Sequence, residues 1–368
     1  MFGRMFGGIL GNRPALRLLE GALASGEIAH AYLFYGPSGV GKHTVARVFG
    51  AALISSGDAD ARDRALRGLH PDLSEIEPEG RFTTIGQVRE VVRQAASRPF
   101  EGARRVFVLR ADTLNVQAAN ALLKTLEEPE GGAVFVLLAT SLEGVLPTVV
   151  SRAQMVRFDP VPLDAIVSFL MDRGHPEGKA RLAGALGRGS VGLALRYAEE
   201  EEFEGLREAV FAAGFSFDAS FEDRHEATEE IMTRAEGVGT AREEAYLAAY
   251  SDEGPDWRAK EAAKRARKAA RDGAVDEALE LLALLYRDAA VVAAGAPELV
   301  ANADRAAEIG ARVAQRPGAD WAGAARVFGE ARDKLAYNVS PEAILEVALS
   351  RTRQKILGSS QPGIYPGS

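Results

Sequence analysis

The residues best suited to chemistry lie in the run Gly36-Pro-Ser-Gly-Val-Gly41-Lys42-His43-Thr44. Glycines at Gly36, Gly39 and Gly41 let backbone N–H groups curl around phosphate oxygens, a following helix adds partial positive charge at its N-terminus, and Lys42 supplies a point charge for the outer phosphates. The pattern departs from its full form at one place. A hydroxyl should follow the lysine to hold Mg²⁺, and His43 stands there; a ring nitrogen is a poor ligand for so hard an ion. Thr44 stays among the phosphate-binding candidates, but one step along a helix rotates its hydroxyl by about 100°, away from a phosphate-bound metal. His43 reads most simply as a partly exposed first-turn helix residue, a metal or catalytic role being the alternative.

Hydrolysis also needs carboxylates at the end of a neighbouring strand, one for the metal and commonly one to position water. The apolar run Val106-Phe-Val-Leu109 leads into Arg110-Ala111-Asp112, so Leu109 and Arg110 stand where that pair would be. Asp112 alone remains, and a cap for the following helix is its simpler role. A phosphate cradle without its metal-holding groups predicts binding of ATP or ADP without hydrolysis, and neither a required cofactor nor a metal.

Positioning such a loop requires a strand before it and a helix after it. Ala31-Tyr-Leu-Phe-Tyr35 supplies the strand, and further strands are expected at 72–77, 105–109 and 133–138. The last two are continuous apolar runs of the kind covered on both faces of a sheet. Helical patterns at 85–97 and 116–128 alternate with them, the rhythm of an open parallel α/β sheet over residues 1–158. Helices at 163–173, 179–186 and 191–200 then form a small helical lid, 159–200. A third, all-helical domain is expected over 201–357, broken at Gly214, Gly254-Pro255, Gly273, Gly295-Ala-Pro297 and Arg316-Pro-Gly318. Residues 358–368 read as a frayed tail.

The 368 residues are 47% apolar and 26% charged, an ordinary globular mix that excludes collagen-like or wholly disordered chains. Subtracting 52 acidic from 44 basic residues gives −8, which argues against gripping nucleic acid or anionic membrane by bulk charge. Cysteine is absent, which excludes disulfides, iron–sulfur clusters, cysteine-ligated zinc and thiol nucleophiles. Five scattered histidines, His30, His43, His70, His175 and His225, make a transition-metal site improbable. The opening apolar run is too short for a signal peptide, and no stretch approaches a membrane span, so a soluble cytoplasmic protein is expected.

Several blocks together resemble the bacterial clamp-loader AAA+ subunits of the DNA polymerase III holoenzyme. They are Ala29-His30-Ala-Tyr-Leu-Phe, His70-Pro-Asp72, Glu77-Pro-Glu-Gly80, Ile85-Gly-Gln-Val-Arg89, Gln117-Ala-Ala-Asn-Ala-Leu-Leu-Lys-Thr-Leu-Glu-Glu-Pro129 and Leu146-Pro-Thr-Val-Val-Ser-Arg152. The likeness is weaker around 189–195, and returns in Asn338-Val-Ser-Pro-Glu-Ala-Ile-Leu-Glu-Val-Ala-Leu349. It implies an AAA+ module, a lid and an oligomerising collar. Within the family, an ATP-hydrolysing gamma/tau subunit would keep a threonine after the loop lysine, an acidic pair after the 106–109 strand and a second-sensor arginine in the lid. This chain has His43, Leu109 with Arg110, and Gly192, which implies the delta-prime type; an active gamma/tau-type ATPase is the alternative.

The same resemblance gives Arg152 its role: it matches the arginine of a Ser-Arg-Cys motif, which reaches into the neighbouring subunit's ATP site. Ser151 would orient that segment, and Ala153 replaces the cysteine. A surface ion-pair residue is the plainer reading of Arg152. The implied partners are gamma/tau and delta subunits, with the sliding clamp and primed DNA reached through the complex, and no membrane. Thr140 matches a first-sensor position, or is a strand-end hydrogen-bonding residue. A four-cysteine zinc module of many relatives would fall near 55–68; here helix formers and local charge pairs are expected instead. Lys260, Lys264, Arg265, Arg267, Lys268 and Arg271 form a basic stripe, more simply a solvated helix face than a DNA contact.

Overall fold

The computed structural model describes residues 5–78, 82–129, 131–248, 257–335 and 339–358. Glu79, Gly80, Gly254, Pro255, Asn338 and the tail beyond Gly358 therefore lie outside the described residues. The chain divides into two compact units, 1–195 and 196–368.

The first unit opens with α1 (Arg13–Ser25), followed by β1 (Ala31–Tyr35), α2 (Lys42–Ser55) and α3 (Ala59–Leu66). Next come β2 (Leu73–Ile76), α4 (Ile85–Ala95), β3 (Val106–Arg110) and α5 (Val116–Glu127). The sheet is completed by β4 (Val134–Ala139), the short α6 (Pro147–Val150) and β5 (Gln154–Arg157). All pairings are parallel, in the order β2-β3-β4-β1-β5. Strands alternate their side chains between two faces. Tyr32, Phe34, Val106, Val108 and Val136 pack with Leu19 of α1 and Phe49 of α2, while Leu33, Phe107, Leu109 and Phe135 pack with Val88 and Val91 of α4 and Leu122 of α5. Helices therefore cover both faces, which is why β4 is buried at all six positions.

Strand β5 is the one sheet element without an expectation in the sequence. Only Val156 of its four residues is buried, so it carries no apolar run; backbone pairing to β1 (Tyr32 opposite Gln154, Tyr35 opposite Arg157) makes it an edge strand. After it come α7 (Leu163–Asp172), α8 (Glu177–Gly187) and α9 (Val191–Glu199), close to the three helices expected there.

Buried His70 and Asp72 are structural. Asp72 is fully enclosed and accepts from the backbone N–H groups of Phe100 (2.6 Å), Glu101 (2.9 Å) and Gly102 (2.8 Å), with Arg105 Nε at 3.4 Å. It thus fixes the loop that delivers β3. Where the zinc module would fall, Asp58 caps α3, and Arg64 bridges Asp60 and Glu101. The expected helix with local charge pairs is what occupies that segment.

The second unit is wholly helical among its described residues: α10 (Glu201–Gly214), α11 (Phe221–Ala248), α12 (Trp257–Ala293), α13 (Ala306–Gln315), α14 (Trp321–Leu335) and α15 (Pro341–Leu357), with single 3-10 turns between. The break expected at Gly273 does not occur, because α12 runs through it for 37 residues. Gly273 is exposed, while Ala274, Val275, Ala278 and Leu282 beside it are buried; packing of that face outweighs a helix penalty of about 1 kcal/mol for one glycine. In the basic stripe, Arg267 binds Glu236 and Glu243 of α11, and Arg271 pairs with Glu236 and Asp272. Lys260, Lys264, Arg265 and Lys268 face solvent.

Candidate functional site

The loop from Gly36 to Gly41 joins the carboxyl end of β1 to the first turn of α2. Its glycines have φ values of 144°, 75° and 95° at Gly36, Gly39 and Gly41, in the left-handed region that side chains rarely adopt. Two of them are also crowded: a Cβ at Gly36 would lie 2.0 Å from the Phe158 carbonyl oxygen, and one at Gly39 would lie 2.0 Å from Ser190 Oγ. Ser190 donates to the Gly39 carbonyl (2.9 Å) and accepts from Leu193 N–H (3.0 Å). One hydroxyl therefore caps α9 and fastens the loop.

Around this loop lies a cavity of about 330 Å³, lined by Gly39, Gly41, Lys42, His43 and Thr44, by Glu75 to Glu77, by the ends of β3 and β4, and by Gly192. The loop, Thr140 and Gly192 are thus brought together, as a phosphate site requires. Gly192, at the start of α9, leaves the cavity open on that side, with nothing within 4 Å of where its Cβ would be.

Lys42 is buried and donates to the carbonyls of its own loop, Gly36 (2.5 Å) and Pro37 (2.6 Å). Burial pulls its ammonium down to about 8, against attraction from Asp112 and with a contribution from Arg110. His43 and Thr44 are both exposed, and His43 Nε2 stands 3.5 Å from Glu75.

Asp112 does not cap the following helix; Asn115 does, accepting from Ala118 N–H at 2.8 Å. The single 3-10 turn Ala111–Thr113 after β3 turns the Asp112 carboxylate toward β4 instead. There it accepts both Arg110 Nε (3.1 Å) and Nη2 (3.2 Å), and both Thr140 N–H and Thr140 Oγ1 (3.0 Å each). Burial disfavours its charge, but Arg110 and Thr140 outweigh that and hold the carboxyl below its usual range. Thr140 is thereby a strand-end hydrogen-bonding residue.

A second carboxylate at the cavity escaped the sequence reading. Glu75 on β2 accepts bidentately from Arg47 (2.7 and 2.6 Å), and although burial works against it, His43 and Arg47 draw it down to about 2. The residues are 28 positions apart and linked only by β2 pairing into the sheet, so no local pattern marks them.

The ordinary metal of such a loop does not fit these residues. A histidine follows the lysine, and each carboxylate deep in the cavity is already held by an arginine of the chain. In the second unit, His225, Glu342 and Glu346 are the one group of metal-capable donors among the described residues. Their ring-to-carboxylate contact, His225 to Glu346 at 2.5 Å, is that of an ion pair.

Arg152 and Ser151 lie elsewhere on the module. Arg152 follows α6, at the amino-terminal ends of the strands. The β1–β5 register places it level with His30, six residues before Gly36, or about 20 Å along the strand direction. Its Nη1 donates to the Thr148 carbonyl (3.0 Å), its Nε lies 2.6 Å from Glu127 Oε1, and its side chain is 30% exposed. Ser151 Oγ donates to the same Thr148 carbonyl and stands 3.4 Å from Arg152 Nη1.

Residues 11–162 match the family model described as DNA polymerase III, delta subunit. The chain is 39% identical over 135 residues to the DNA polymerase III subunit delta' of Pseudomonas aeruginosa, covering 34% of this chain and 41% of that one. It is 28% identical over 203 residues to the Bacillus subtilis subunit delta' (53% and 61%), and 29% over 171 residues to the B. subtilis subunit tau (44% and 30%). The chain therefore spans between two fifths and three fifths of the length of the two delta-prime relatives. No described helix is long and apolar enough to cross a membrane. Over residues 11–162, the sheet-bearing part of the first unit, the chain is similar to the delta-prime subunits of DNA polymerase III.

Proposed function

We propose that this chain is a non-hydrolysing clamp-loader subunit that presents Arg152 to the ATP site of a neighbouring gamma/tau-type subunit. Within that assembly it helps to open the sliding clamp and place it on primed DNA. The observation that carries the reading is the separation of two half-sites on one sheet. The phosphate loop is at the carboxyl ends of the strands and Arg152 at the amino ends, too far for Arg152 to serve its own loop. A guanidinium so placed stabilises charge developing on a phosphoryl group only when a second subunit brings that group to it. Both arginine contacts are to groups of its own subunit, and a part-exposed ion pair with Glu127 is worth about 1 kcal/mol, a small barrier to redirection. The helical second unit is the proposed collar that assembles with fellow subunits, and gamma/tau and delta are the proposed partners.

The cradle at the other end binds a phosphate chain without turning it over, because Glu75 and Asp112, the carboxylates deep in the cavity, are each held by an arginine of the chain. The test is Mg²⁺-dependent ATP turnover by the isolated chain, together with co-purification of gamma/tau and delta subunits. No turnover and a stable complex are expected. Sustained turnover abolished by Lys42→Ala would establish the gamma/tau-type ATPase instead.

A further inference from the structure

The cavity at the phosphate loop contains a cation already. We infer that Arg110 takes the place of the metal ion, so that this site accepts a di- or triphosphate chain free of any divalent cation. The inference rests on the phosphate-cradle reading above and specifies its ligand.

Arg110 is the last residue of β3, and its side chain is half exposed at the cavity lining. Its guanidinium binds Asp112 through two N–H groups, at 3.1 and 3.2 Å. Asp112 is the lone carboxylate near the end of β3, and its Oδ2 is shared with Thr140 N and Oγ1. Three of its four donors converge on Oδ2, so one acceptor site is left, on the Oδ1 that Arg110 Nε already holds. Glu75, the other carboxylate set into the wall, is clamped by Arg47 in the same bidentate way. Glu77 is at the exposed rim. In both pairs the guanidinium neutralises the carboxylate that would otherwise help to hold a hydrated Mg²⁺, and they leave no oxygen-rich shell for it.

A guanidinium has five N–H donors, and only two of those on Arg110 are committed to Asp112. The others remain for phosphate oxygens, which arginine binds in the same forked geometry. Lys42 and the N-terminus of α2 line the same cavity and offer further donors to the chain. Lys42 must first release the Gly36 and Pro37 carbonyls, so modest affinity is expected.

The test uses the full chain in calorimetric titrations with ATP and, separately, inorganic pyrophosphate, each with excess EDTA and with excess Mg²⁺. Comparable affinity for the two ligands would show that the phosphate chain is what is recognised, and ATP alone binding would overturn that part. Affinity is expected to be unchanged or weaker with Mg²⁺. Arg110→Ala should weaken binding in EDTA by about tenfold or more, the loss of one charge-assisted hydrogen bond. Asp112→Asn, which leaves Arg110 unneutralised, should bind at least as tightly as the parent; circular dichroism checks that both variants fold. Binding that Mg²⁺ tightens tenfold, or that survives Arg110→Ala intact, would overturn the resident-cation inference and leave the cradle standing. No binding in either condition would overturn the cradle itself.

Discussion

Replacing Lys42 by methionine is predicted to stabilise the protein while removing phosphate binding. The ammonium is buried, and burial lowers it from 10.5 to about 8. At 1.36 kcal/mol per decade, that gap is roughly 3 kcal/mol charged against the folded state whenever the lysine is protonated in both states. Two hydrogen bonds to Gly36 and Pro37 offset about 2 kcal/mol of it. Methionine retains the apolar stem and has no charge to desolvate, so a net gain of about 1 kcal/mol is expected at neutral pH. The sign then changes with pH. Between about 8 and 10.5 the unfolded chain binds the proton that the folded chain has shed, so the parent gains stability as pH rises and the variant does not. Urea midpoints of parent and variant, measured at neutral pH and at about pH 9.5, read this difference directly, since all other titrating groups are common to both. A variant less stable than the parent at pH 7, or an advantage that does not shrink with pH, would refute the reasoning.

Three further outcomes follow from the packing. Asp72→Asn leaves three backbone N–H groups and Arg105 sharing one carbonyl oxygen, and should cost about 3 kcal/mol in urea unfolding. Burial opposes the Asp72 charge, but those donors win and hold its carboxyl low; the parent's advantage over the variant is therefore full above the usual carboxylate range and should fade as acid protonates the folded form. Gly39→Ala, at φ 75° with its Cβ 2.0 Å from Ser190 Oγ, should cost about 3 kcal/mol. Adding Ser190→Ala should cost less than the sum of the single changes, and strict additivity would count against the loop-to-α9 contact. Gly273→Ala, on an exposed stretch of α12 with no heavy atom near its Cβ, should stabilise by about 1 kcal/mol, visible as a raised urea midpoint.

What could be read from the sequence tracks how local each determinant is. The loop, β1, β3 and β4 are marked by contiguous glycines and apolar runs, and they lie within a residue of where those runs place them. The edge strand β5 is held by backbone pairing to β1 and buries only Val156, so its side chains carry no strand signature. Gly273 is a breaker by composition but not by context, because the apolar face beside it holds the helix. At the site, the glycines and Lys42 were legible from spacing, and Arg110 only as a residue standing where a carboxylate would be. The Arg47–Glu75 pair and the Ser190 contact to Gly39 were not, since each joins residues that only the folded sheet or lid brings together. The fate of Asp112 depended on one 3-10 turn, which aims it at Thr140 rather than down the next helix.

Arg152 is proposed to act on a neighbour's phosphate and not on one in its own loop. This role is tested most directly by DNA-stimulated ATP turnover of a complex reconstituted with gamma/tau and delta, carrying either the parent chain or Arg152→Ala. Arg152→Ala is expected to leave an intact complex of unchanged composition whose turnover at the adjoining ATP site falls by about a thousandfold, the scale of a lost arginine finger. Unchanged turnover in a complex that assembles normally would contradict it.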